Sequence, residues 1–575
     1  MGALLSVSGF MLLVAGALGV GVGYFIFRHP AGAVLRKVLK FLPFLLLFFF
    51  LNTFASFAPG TVYVAAFIMF VIGIFVAPLI FKKATEPRRK STAFGSAEWA
   101  TIEDMRNGKL LDTAGLRLGQ VTEFALADGV ATPHTHALGY AGDRHLLTVA
   151  PTRSGKGVSA IIPNLLTYTG SAVVIDPKGE NAMITAARRG QGSAGVTGLG
   201  QQVHVVDPWG ITGQPAACFN PLDWLSADDP DISENAMMLA DSIVIPGEGK
   251  DRFWDEEAKA ILMGLLLYVA LDAREQGTRT LARVRDIVVS GVEAFNAVLG
   301  QMVESDNPIV VSTADRTAGK APELRASVMA SLQSHTHFLD SPRIRASLAK
   351  SDFGFADLKA APTTVYLVLP SDRLNTFGRW LRLLIQQAIT VNARNIAQKP
   401  PKPILFLLDE MPALGRLAMV EQAYGLMAGF GMQLWGIVQD LSQLERIYDK
   451  GWETFIGNAG VLQYFGSRDQ KTAEYFSKLC GVTTIEKTSI SNSIARAFGS
   501  GSGGGSSNST THSESTSTDV AQRHLAYADE LMVMRKGQQL LFVEEVNPIK
   551  AQRSNWYADP ELKSLGVDLH RQANA

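Results

Sequence analysis

The chain has 575 residues, which is too long for one ordinary domain and suggests roughly three to five. Lysine plus arginine and aspartate plus glutamate both number 53, so the net charge is zero and no global basic field favours nucleic acid. Any contact with nucleic acid therefore needs a local patch or an assembled pore. Cys218 and Cys480 exclude a disulfide framework and lack metal-ligand spacing, so we expect reduced, structural thiols.

Residues 1–90 are predicted to form a membrane anchor of three transmembrane helices. Residues 4–27 are almost wholly apolar, and a second apolar tract at 41–81 is broken by the turn signal Pro59-Gly60 into spans 41–57 and 61–81. Basic residues of this segment fall between the first and second spans and after the third: Arg28, Arg36, Lys37, Lys40, Lys82, Lys83, Arg88, Arg89 and Lys90. Three spans place both clusters in the cytoplasm and the N-terminus outside, whereas with two spans one cluster would have to cross.

A phosphate-binding loop is predicted after a short buried strand at 146–149. The loop reaches Gly155-Lys156, and an apolar segment with helical spacing follows. In such a loop, backbone N–H groups surround an anion, the helix N-terminus adds partial positive charge, and Lys156 reaches the β/γ-phosphates. The match to G-x-x-x-x-G-K-[ST] is incomplete, because Ala150 replaces the first glycine and Gly157 replaces the hydroxyl residue. The predicted nucleotide-binding residues are Pro151, Thr152, Arg153, Ser154, Gly155, Lys156, Gly157 and Val158.

Further β-rich runs alternate with helical segments, which indicates a parallel sheet covered on both faces. These runs are 171–176, 202–207, 364–369, 403–408, 432–438 and 538–543. Strand signals are nearly absent between 228 and 346, so we infer an inserted all-α domain there. The Gly/Ser/Thr tract at 500–518 cannot bury a core and is predicted to be a flexible loop. The soluble part therefore divides into a nucleotide-binding domain at 91–227 and 347–499, the insertion at 228–346, the loop at 500–518, and a last strand with a tail at 519–575.

An acidic pair and an amide follow two of these strands. Asp409-Glu410 ends a fully apolar strand, where carboxylates of such sheets point into the ligand crevice, although two ordinary turn carboxylates are the alternative. With a phosphate loop upstream, the pair has the form of a Walker B site, with Asp409 for Mg²⁺ and Glu410 to polarise the attacking water. Gln439 ends the next strand, where it is placed to sense the γ-phosphate of ATP or is an ordinary strand-end residue.

The chain resembles the coupling proteins of type IV secretion systems, the TraG-like conjugal transfer ATPases. The segments that carry this resemblance are Ala150-Pro-Thr-Arg-Ser-Gly-Lys-Gly157, Ile162-Pro-Asn-Leu-Leu166, Asp176-Pro-Lys-Gly-Glu180, Phe219-Asn-Pro-Leu-Asp223, Phe253-Trp254, Leu407-Leu-Asp-Glu-Met-Pro-Ala-Leu-Gly-Arg416, Val438-Gln-Asp-Leu-Ser-Gln-Leu444, Gly95-Ser-Ala-Glu-Trp99 and Gly466-Ser-Arg-Asp-Gln470. The resemblance covers nearly everything from Gly95 to about Tyr557.

The resemblance implies a RecA-like P-loop ATPase domain, an inserted all-α domain that faces the cytoplasm, an inner-membrane anchor and a homohexameric ring. It implies ATP and Mg²⁺ as cofactors, and delivery of a relaxase-bound single strand of DNA or of protein effectors to the secretion channel. The implied partners are the relaxosome or effectors, single-stranded DNA, channel components and membrane lipid. A trans-acting arginine finger is expected, for which Arg416 and Arg468 are candidates, with Arg416 preferred as the catalytic residue.

Two other functions are compatible with these segments. One is a receptor, in which the helical domain recruits cargo and nucleotide only sets its conformation; the intact acidic pair favours an ATPase, because a pure receptor would not need Glu410. The other is a chromosome-segregation DNA translocase, which shares the sheet and the ring. The helical insertion after Asn220-Pro-Leu222 argues against it.

The three-span topology predicts opposite locations for two reporter fusions. A reporter fused near Met1 should be outside the cytoplasm and one fused near Glu86 inside, because both basic clusters stay in the cytoplasm. Enzymatic reporters that are active on only one side of the membrane measure this directly. Two cytoplasmic reporters would mean that the 41–81 tract crosses once.

Overall fold

The computed structural model describes residues 92–127, 130–247, 251–500 and 506–569, together with five helical residues of the third predicted span: Val64, Phe67, Ile68, Phe70 and Val71. The chain forms two compact units, Met1–Ser91 and Thr92–Ala575. Apart from those five residues, the three predicted spans lie outside the described residues. In the described ranges, no helix is both long enough and apolar enough to cross a membrane.

The second unit contains strands of very different length. They are β1 (Leu116–Ala127), β2 (Val130–Tyr140), β3 (His145–Val149), β4 (Ala172–Asp176), β5 (Gly192–Ser193), β6 (Val196–Thr197), β7 (Gln202–Val206), β8 (Thr363–Val368), β9 (Ile404–Leu408), β10 (Met432–Val438), β11 (Ala459–Tyr464), β12 (Val482–Ser500), β13 (Ser506–His524), β14 (Gln538–Val543) and β15 (Ile549–Gln552).

The α-helices lie between these strands. They are α1 (Ile102–Asn107), α2 (Ile162–Thr167), α3 (Glu180–Arg189), α4 (Ile232–Ile243), α5 (Asp251–Leu271), α6 (Leu281–Val288), α7 (Val292–Val303), α8 (Pro308–Ala318), α9 (Pro322–Thr336), α10 (Pro342–Ser347), α11 (Asp357–Ala360), α12 (Leu374–Arg394), α13 (Ala418–Leu426), α14 (Leu441–Tyr448), α15 (Trp452–Gly457), α16 (Gln470–Cys480), α17 (Ala528–Met532) and α18 (Pro560–Leu565). Between β7 and β8, every regular element in the described residues is helical.

Among the described residues, 11 strands form one sheet in the order β2-β1-β15-β14-β11-β3-β10-β9-β4-β8-β7. The strands from β11 to β7 are parallel to one another, whereas β14, β15, β1 and β2 continue the sheet with antiparallel pairs. The central strands β3, β4 and β9 are buried along their whole length. Their continuous apolar runs reflect helices on both faces, as is typical of parallel sheets.

Alternate residues of each central strand face different cores. Val173 and Ile175 belong to the larger core, which also contains the helices between β7 and β8. Val174 belongs to the smaller core, together with the helix after β3 and the β1–β2 hairpin. The larger core is continuous from the sheet to Leu265 of α5, so the helical region is not packed as an independent globule.

The central strands lie where the sequence predicts them, but four strands of the sheet are missed. Each β-rich run predicted from composition is a strand of the sheet, and the sheet is mostly parallel. The β1–β2 hairpin, β11 and β15 are not anticipated, because their polar and glycine residues weaken the apolar signal.

The prediction of a flexible loop at 500–518 is wrong from Ser506 onward. β13 pairs with β12 along its whole length, from Val482 opposite His524 to Ser500 opposite Ser506, and residues 501–505 lie outside the described part. Each strand of a two-stranded ribbon forms backbone hydrogen bonds with its partner along one edge and leaves the other edge to solvent. Threonine favours extended backbone, so such a ribbon forms without the apolar side chains that a core requires.

Candidate nucleotide-binding site

The predicted phosphate loop is a tight turn between β3 and a helix. Two of its residues adopt the left-handed backbone conformation, Arg153 with φ 61° and Gly155 with φ 92°. Ser154 lies between them and donates its N–H to the Pro151 carbonyl at 3.1 Å. Alternation of left- and right-handed residues turns backbone N–H groups toward one side, which is the geometry of an anion-binding nest.

The helix after the loop starts with one π-helical turn, Gly157–Ile161, and continues as α2. Pro163 lies in the first turn of α2 and has no N–H, which accounts for the wider hydrogen-bonding pattern before it. No side chain caps the start of this helix at Lys156. Its N-terminal N–H groups are therefore available to an anion rather than to a capping side chain.

Lys156 lies against the predicted acidic pair. Its Nζ is 2.7 Å from Asp409 Oδ1 and 3.5 Å from Glu410 Oε2. Burial by itself would lower the pKa of Lys156, but the nearby negative charges of Asp409 and Glu410 outweigh burial and raise it. Burial raises the pKa of Asp409, and the attraction of Lys156 opposes that shift. The structure thus places Lys156 beside a pair of carboxylates that lies more than 250 positions later in the sequence.

Gln439 completes this group. Its Nε2 donates to Glu410 Oε1 at 3.0 Å, and its backbone N–H donates to Gln443 Oε1 at 3.1 Å. Glu410 itself has φ 67°, a conformation that non-glycine residues rarely adopt and that is found mainly where function requires it. The side chain of Glu410 is therefore held from two directions, by Lys156 and by Gln439.

Two buried oxygens at the site have no hydrogen-bond partner in the described residues, Ser154 Oγ and Asp409 Oδ1. Asp409 Oδ1 is close to Lys156 Nζ, but the contact lacks hydrogen-bond alignment. A carboxylate oxygen of this kind fits Mg²⁺, which proteins commonly hold through one or two carboxylates and substrate phosphates. The described residues contain no cluster of three or more His, Cys, Asp or Glu suited to a metal.

Asp176 is a second buried carboxylate beside Asp409. It is the last residue of β4, the neighbour of β9, and accepts the N–H groups of Ala182 at 2.9 Å and of Lys178 at 3.3 Å. Burial raises the pKa of Asp176 to about 7, against the effect of these N–H groups, and the nearby charge of Asp409 adds to the rise. Asp176 lies in one of the segments that carry the family resemblance, but the sequence alone predicts no role for it.

The loop is also held by a residue that sequence reasoning misses. The guanidinium of Arg553, after β15, donates to the Ser154 carbonyl and lies 4.3 Å from the centre of the Phe465 ring. Burial lowers the pKa of Arg553. The backbone N–H of Trp556 donates to the Val158 carbonyl at 2.9 Å. The segment after β15 therefore supports the phosphate loop from outside, and 399 positions of separation leave no local signal for it.

Four further predicted residues are exposed at the surface. Thr152 and Arg153 are exposed on the loop. Arg416 and Arg468 are exposed as well, and within the described part neither side chain makes a hydrogen bond or an ion pair. Arg416 therefore does not join Lys156, Asp409 and Glu410 within one chain.

Residues 98–573 match the family model described as Type IV secretory system Conjugative DNA transfer. The chain belongs to this family. Protein VirD4 of Agrobacterium fabrum is 29% identical over 476 residues, which cover 82% of this chain and 67% of that protein. Conjugal transfer protein TraG of Escherichia coli is 30% identical over 449 residues, which cover 72% of this chain and 68% of that protein. The matched region thus spans about two thirds of the length of these relatives, and 66% of the VirD4 of Rhizobium rhizogenes.

Solved structures of the coupling protein TrwB have a fold similar to that of this chain. The complex of TrwB with ADP and Mg²⁺ has a TM-score of 0.56 at 15% identity and covers 80% of this chain and 94% of that chain. The TrwB complex with a non-hydrolysable ATP analogue has a TM-score of 0.55 at 14% identity, over 80% of this chain and 93% of that chain. The predicted α/β fold with a mostly parallel sheet is therefore confirmed, and it is similar to the fold of TrwB.

Replacing Gly157 by serine tests the missing hydroxyl of the loop. A Cβ at Gly157 would meet no atom within 4 Å, and the backbone there is not left-handed, so Gly157→Ser should fold and bind nucleotide. We expect the Mg²⁺ concentration for half-maximal binding of a fluorescent ATP analogue to fall about fivefold, the factor for about 1 kcal/mol of added interaction. Gly155→Ser is the control and should abolish binding, because its φ of 92° disfavours a side chain. Loss of nucleotide binding in Gly157→Ser would show that this glycine is needed for another reason.

The pKa of Asp176 predicts a pH dependence of stability. An aspartate with the ordinary pKa of 3.8 ionises on unfolding, whereas folded Asp176 keeps its proton up to about pH 7. The free energy of unfolding should therefore fall as pH rises from 4 to 7, by up to about 4 kcal/mol, since one pKa unit is about 1.4 kcal/mol. Asp176→Asn cannot ionise and should flatten this fall, measured by urea unfolding at pH 5 and pH 8. An unchanged fall in the variant would assign the pH dependence to other groups.

Proposed function

We propose that this protein is a membrane-anchored, hexameric P-loop ATPase that couples ATP hydrolysis to delivery of a relaxase–DNA complex or of protein substrates into a type IV secretion channel. The observation that carries the proposal is the direct contact of Lys156 with Asp409 and Glu410, with Gln439 bonded to Glu410. A site that only bound nucleotide and Mg²⁺ would not need Glu410 in addition to Asp409.

In this proposal each residue of the group has one task. The backbone of the loop from Thr152 to Gly157 and the ammonium of Lys156 bind the phosphates of ATP. Glu410 polarises the attacking water, and Gln439 keeps the Glu410 carboxylate in place while its own amide senses the γ-phosphate. Asp409 would hold Mg²⁺, which neutralises charge that develops on the phosphate oxygens.

The exposed position of Arg416 supports a role across a subunit interface. Its carbonyl is bound from within the chain, but its guanidinium has no partner in the described residues and is free to reach a neighbouring site. An arginine supplied in trans contributes about 10³-fold or more in related phosphoryl transfer. We expect the isolated chain to be a weak ATPase whose activity rises when a homohexameric ring forms.

The proposed location is the bacterial inner membrane, with the bulk of the chain in the cytoplasm. The three apolar tracts of residues 1–90 and their basic flanks support this location. The proposed partners are single-stranded DNA, the relaxosome or protein effectors, channel components and membrane lipid. The family model that matches this chain is described by conjugative DNA transfer. This description supports a relaxase–DNA complex as the cargo rather than a protein effector.

Steady-state ATP hydrolysis by the full-length protein, with and without single-stranded DNA, tests the proposal. Glu410→Gln should still bind ATP but hydrolyse it at least about 10²-fold more slowly, the usual scale for loss of a general base. It should also be dominant-negative in DNA transfer, because one inactive subunit stops a sequentially firing ring. Lys156→Ala is the control that should lose nucleotide binding as well as hydrolysis.

The receptor alternative gives a different result. In that case Glu410→Gln, which still binds ATP, would leave substrate transfer unchanged, and only the loss of nucleotide binding in Lys156→Ala would alter cargo recruitment. Unchanged hydrolysis in Glu410→Gln would show that Glu410 has a structural task.

A further inference from the structure

A buried arginine joins the turn after Glu410 to the first helix of the all-α region. Arg382 lies on α12 and is 6% exposed. Its guanidinium donates to the Arg416 carbonyl and, at 3.4 Å, to the Leu414 carbonyl, both in the turn that follows Glu410. The same guanidinium donates to the carbonyls of Ser242 at 3.0 Å and Asp241 at 3.5 Å, in α4. The Arg382 side chain therefore binds two segments that lie far apart in the sequence.

The acceptors of Arg382 are backbone carbonyls, with no carboxylate among them. Asp241 and Ser242 are in the last turn of α4, where carbonyls lack partners within the helix and carry partial negative charge. The guanidinium satisfies these carbonyls and those of the turn at once. Burial lowers the pKa of Arg382 to about 10, so the group remains charged at neutral pH.

α12 also touches the turn directly. A Cβ at Gly378 would lie 2.7 Å from the Ala413 carbonyl oxygen, so the backbone of the helix and the backbone of the turn are in contact. The turn begins at Glu410, whose left-handed backbone continues into the 3₁₀ turn Met411–Leu414. A shift of Glu410 is therefore transmitted to the segment that Arg382 binds, because little flexible chain separates them.

A second contact attaches α12 to the helical region. Arg379 Nη2 lies 3.2 Å from His335 Nδ1, and His335 Nε2 lies 2.9 Å from Asp255 Oδ1. With Nδ1 accepting from Arg379, the imidazole proton is on Nε2 and is donated to Asp255. Asp255 belongs to α5 and also accepts from Ser331 Oγ at 2.6 Å. α12 is thus fixed to α4, α5 and α9 on one side and to the Glu410 turn on the other.

We propose that Arg382 is a positioning residue that couples the Glu410 turn to α4, so that nucleotide binding at the loop changes the all-α region and cargo on that region changes hydrolysis. This inference rests on the proposed ATPase function of the same site. By linkage, the coupling free energy is the same in both directions for binding.

Arg382→Met in the full-length protein tests the coupling, since methionine keeps apolar bulk and removes all four bonds. The first readout is amide hydrogen exchange of residues 232–243, with and without Mg²⁺ and a non-hydrolysable ATP analogue. We expect the nucleotide-induced change in exchange to fall by at least about fivefold, the lower end of typical couplings. The second readout is kinetic: kcat should fall while KM for ATP stays within about twofold, because Lys156 and the loop are untouched.

Arg394→Met is the matched control. Arg394 is on the same helix and contacts the same partner, with Nη1 bonded to Asn235 Oδ1 and Nη2 3.5 Å from Met238 Sδ, but it has no bond to the turn. In the Arg394→Met variant, the nucleotide-induced change in amide hydrogen exchange of residues 232–243 and the kcat should match those of the unmodified protein. Arg189→Met controls for burial, since Arg189 is also buried and bound to the carbonyls of Leu165, Tyr168 and Gly170.

If Arg382→Met does not fold, Arg382→Lys carries the test, because one ammonium keeps the charge but cannot bind both segments in the geometry of a guanidinium. It should show the same loss of coupling to a smaller extent. A full nucleotide response of residues 232–243 in either folded variant overturns the proposal, as does the absence of any response in the unmodified protein. Because the analogue is not hydrolysed, failure of the ATPase assay alone would instead contradict the proposed function.

Discussion

The parallel hydrogen-bonded register of β3, β10 and β9 is the constraint on which the site depends. Val149 pairs with Val438 and Gly436 pairs with Leu408, so the three strands end at nearly the same level. The phosphate loop, Gln439 and the Asp409-Glu410 pair therefore emerge at one edge of the sheet. This is the ligand crevice of open α/β sheets, and here it gathers one cation, two carboxylates and one amide within direct contact.

Charge compensation at this edge takes two forms. At the site, Lys156 lies between two carboxylates, whose negative charges raise its pKa and keep it ionised. Farther from it, Arg382 and Arg189 are buried among backbone carbonyls and need no carboxylate. These two buried guanidinium groups are stabilised by hydrogen bonds to carbonyls. Removing either of them leaves several carbonyls without partners.

The same geometry explains how the helical region can respond to the site. Its core is continuous with one face of the sheet, and α12 contacts both the Glu410 turn and α4. Close-packed interiors transmit small shifts instead of absorbing them. Arg553 acts on the opposite side of the loop, where it fixes Ser154 from the segment after β15. The loop and the acidic pair are thus each supported by an arginine distant in sequence.

The sequence by itself indicated the central strands, a helical region, a phosphate loop and an acidic pair, because these follow from short apolar runs, local spacing and residue chemistry. Asp409-Glu410 and Gln439 stand out because each directly follows such a run. Only the tertiary structure decided the antiparallel half of the sheet, the β12–β13 ribbon and the positions of Arg382, Arg553 and Asp176. The strand pairs and arginine contacts join residues far apart in sequence, and the environment of Asp176 comes from burial between neighbouring strands, so none of them leaves a periodic signal in the chain.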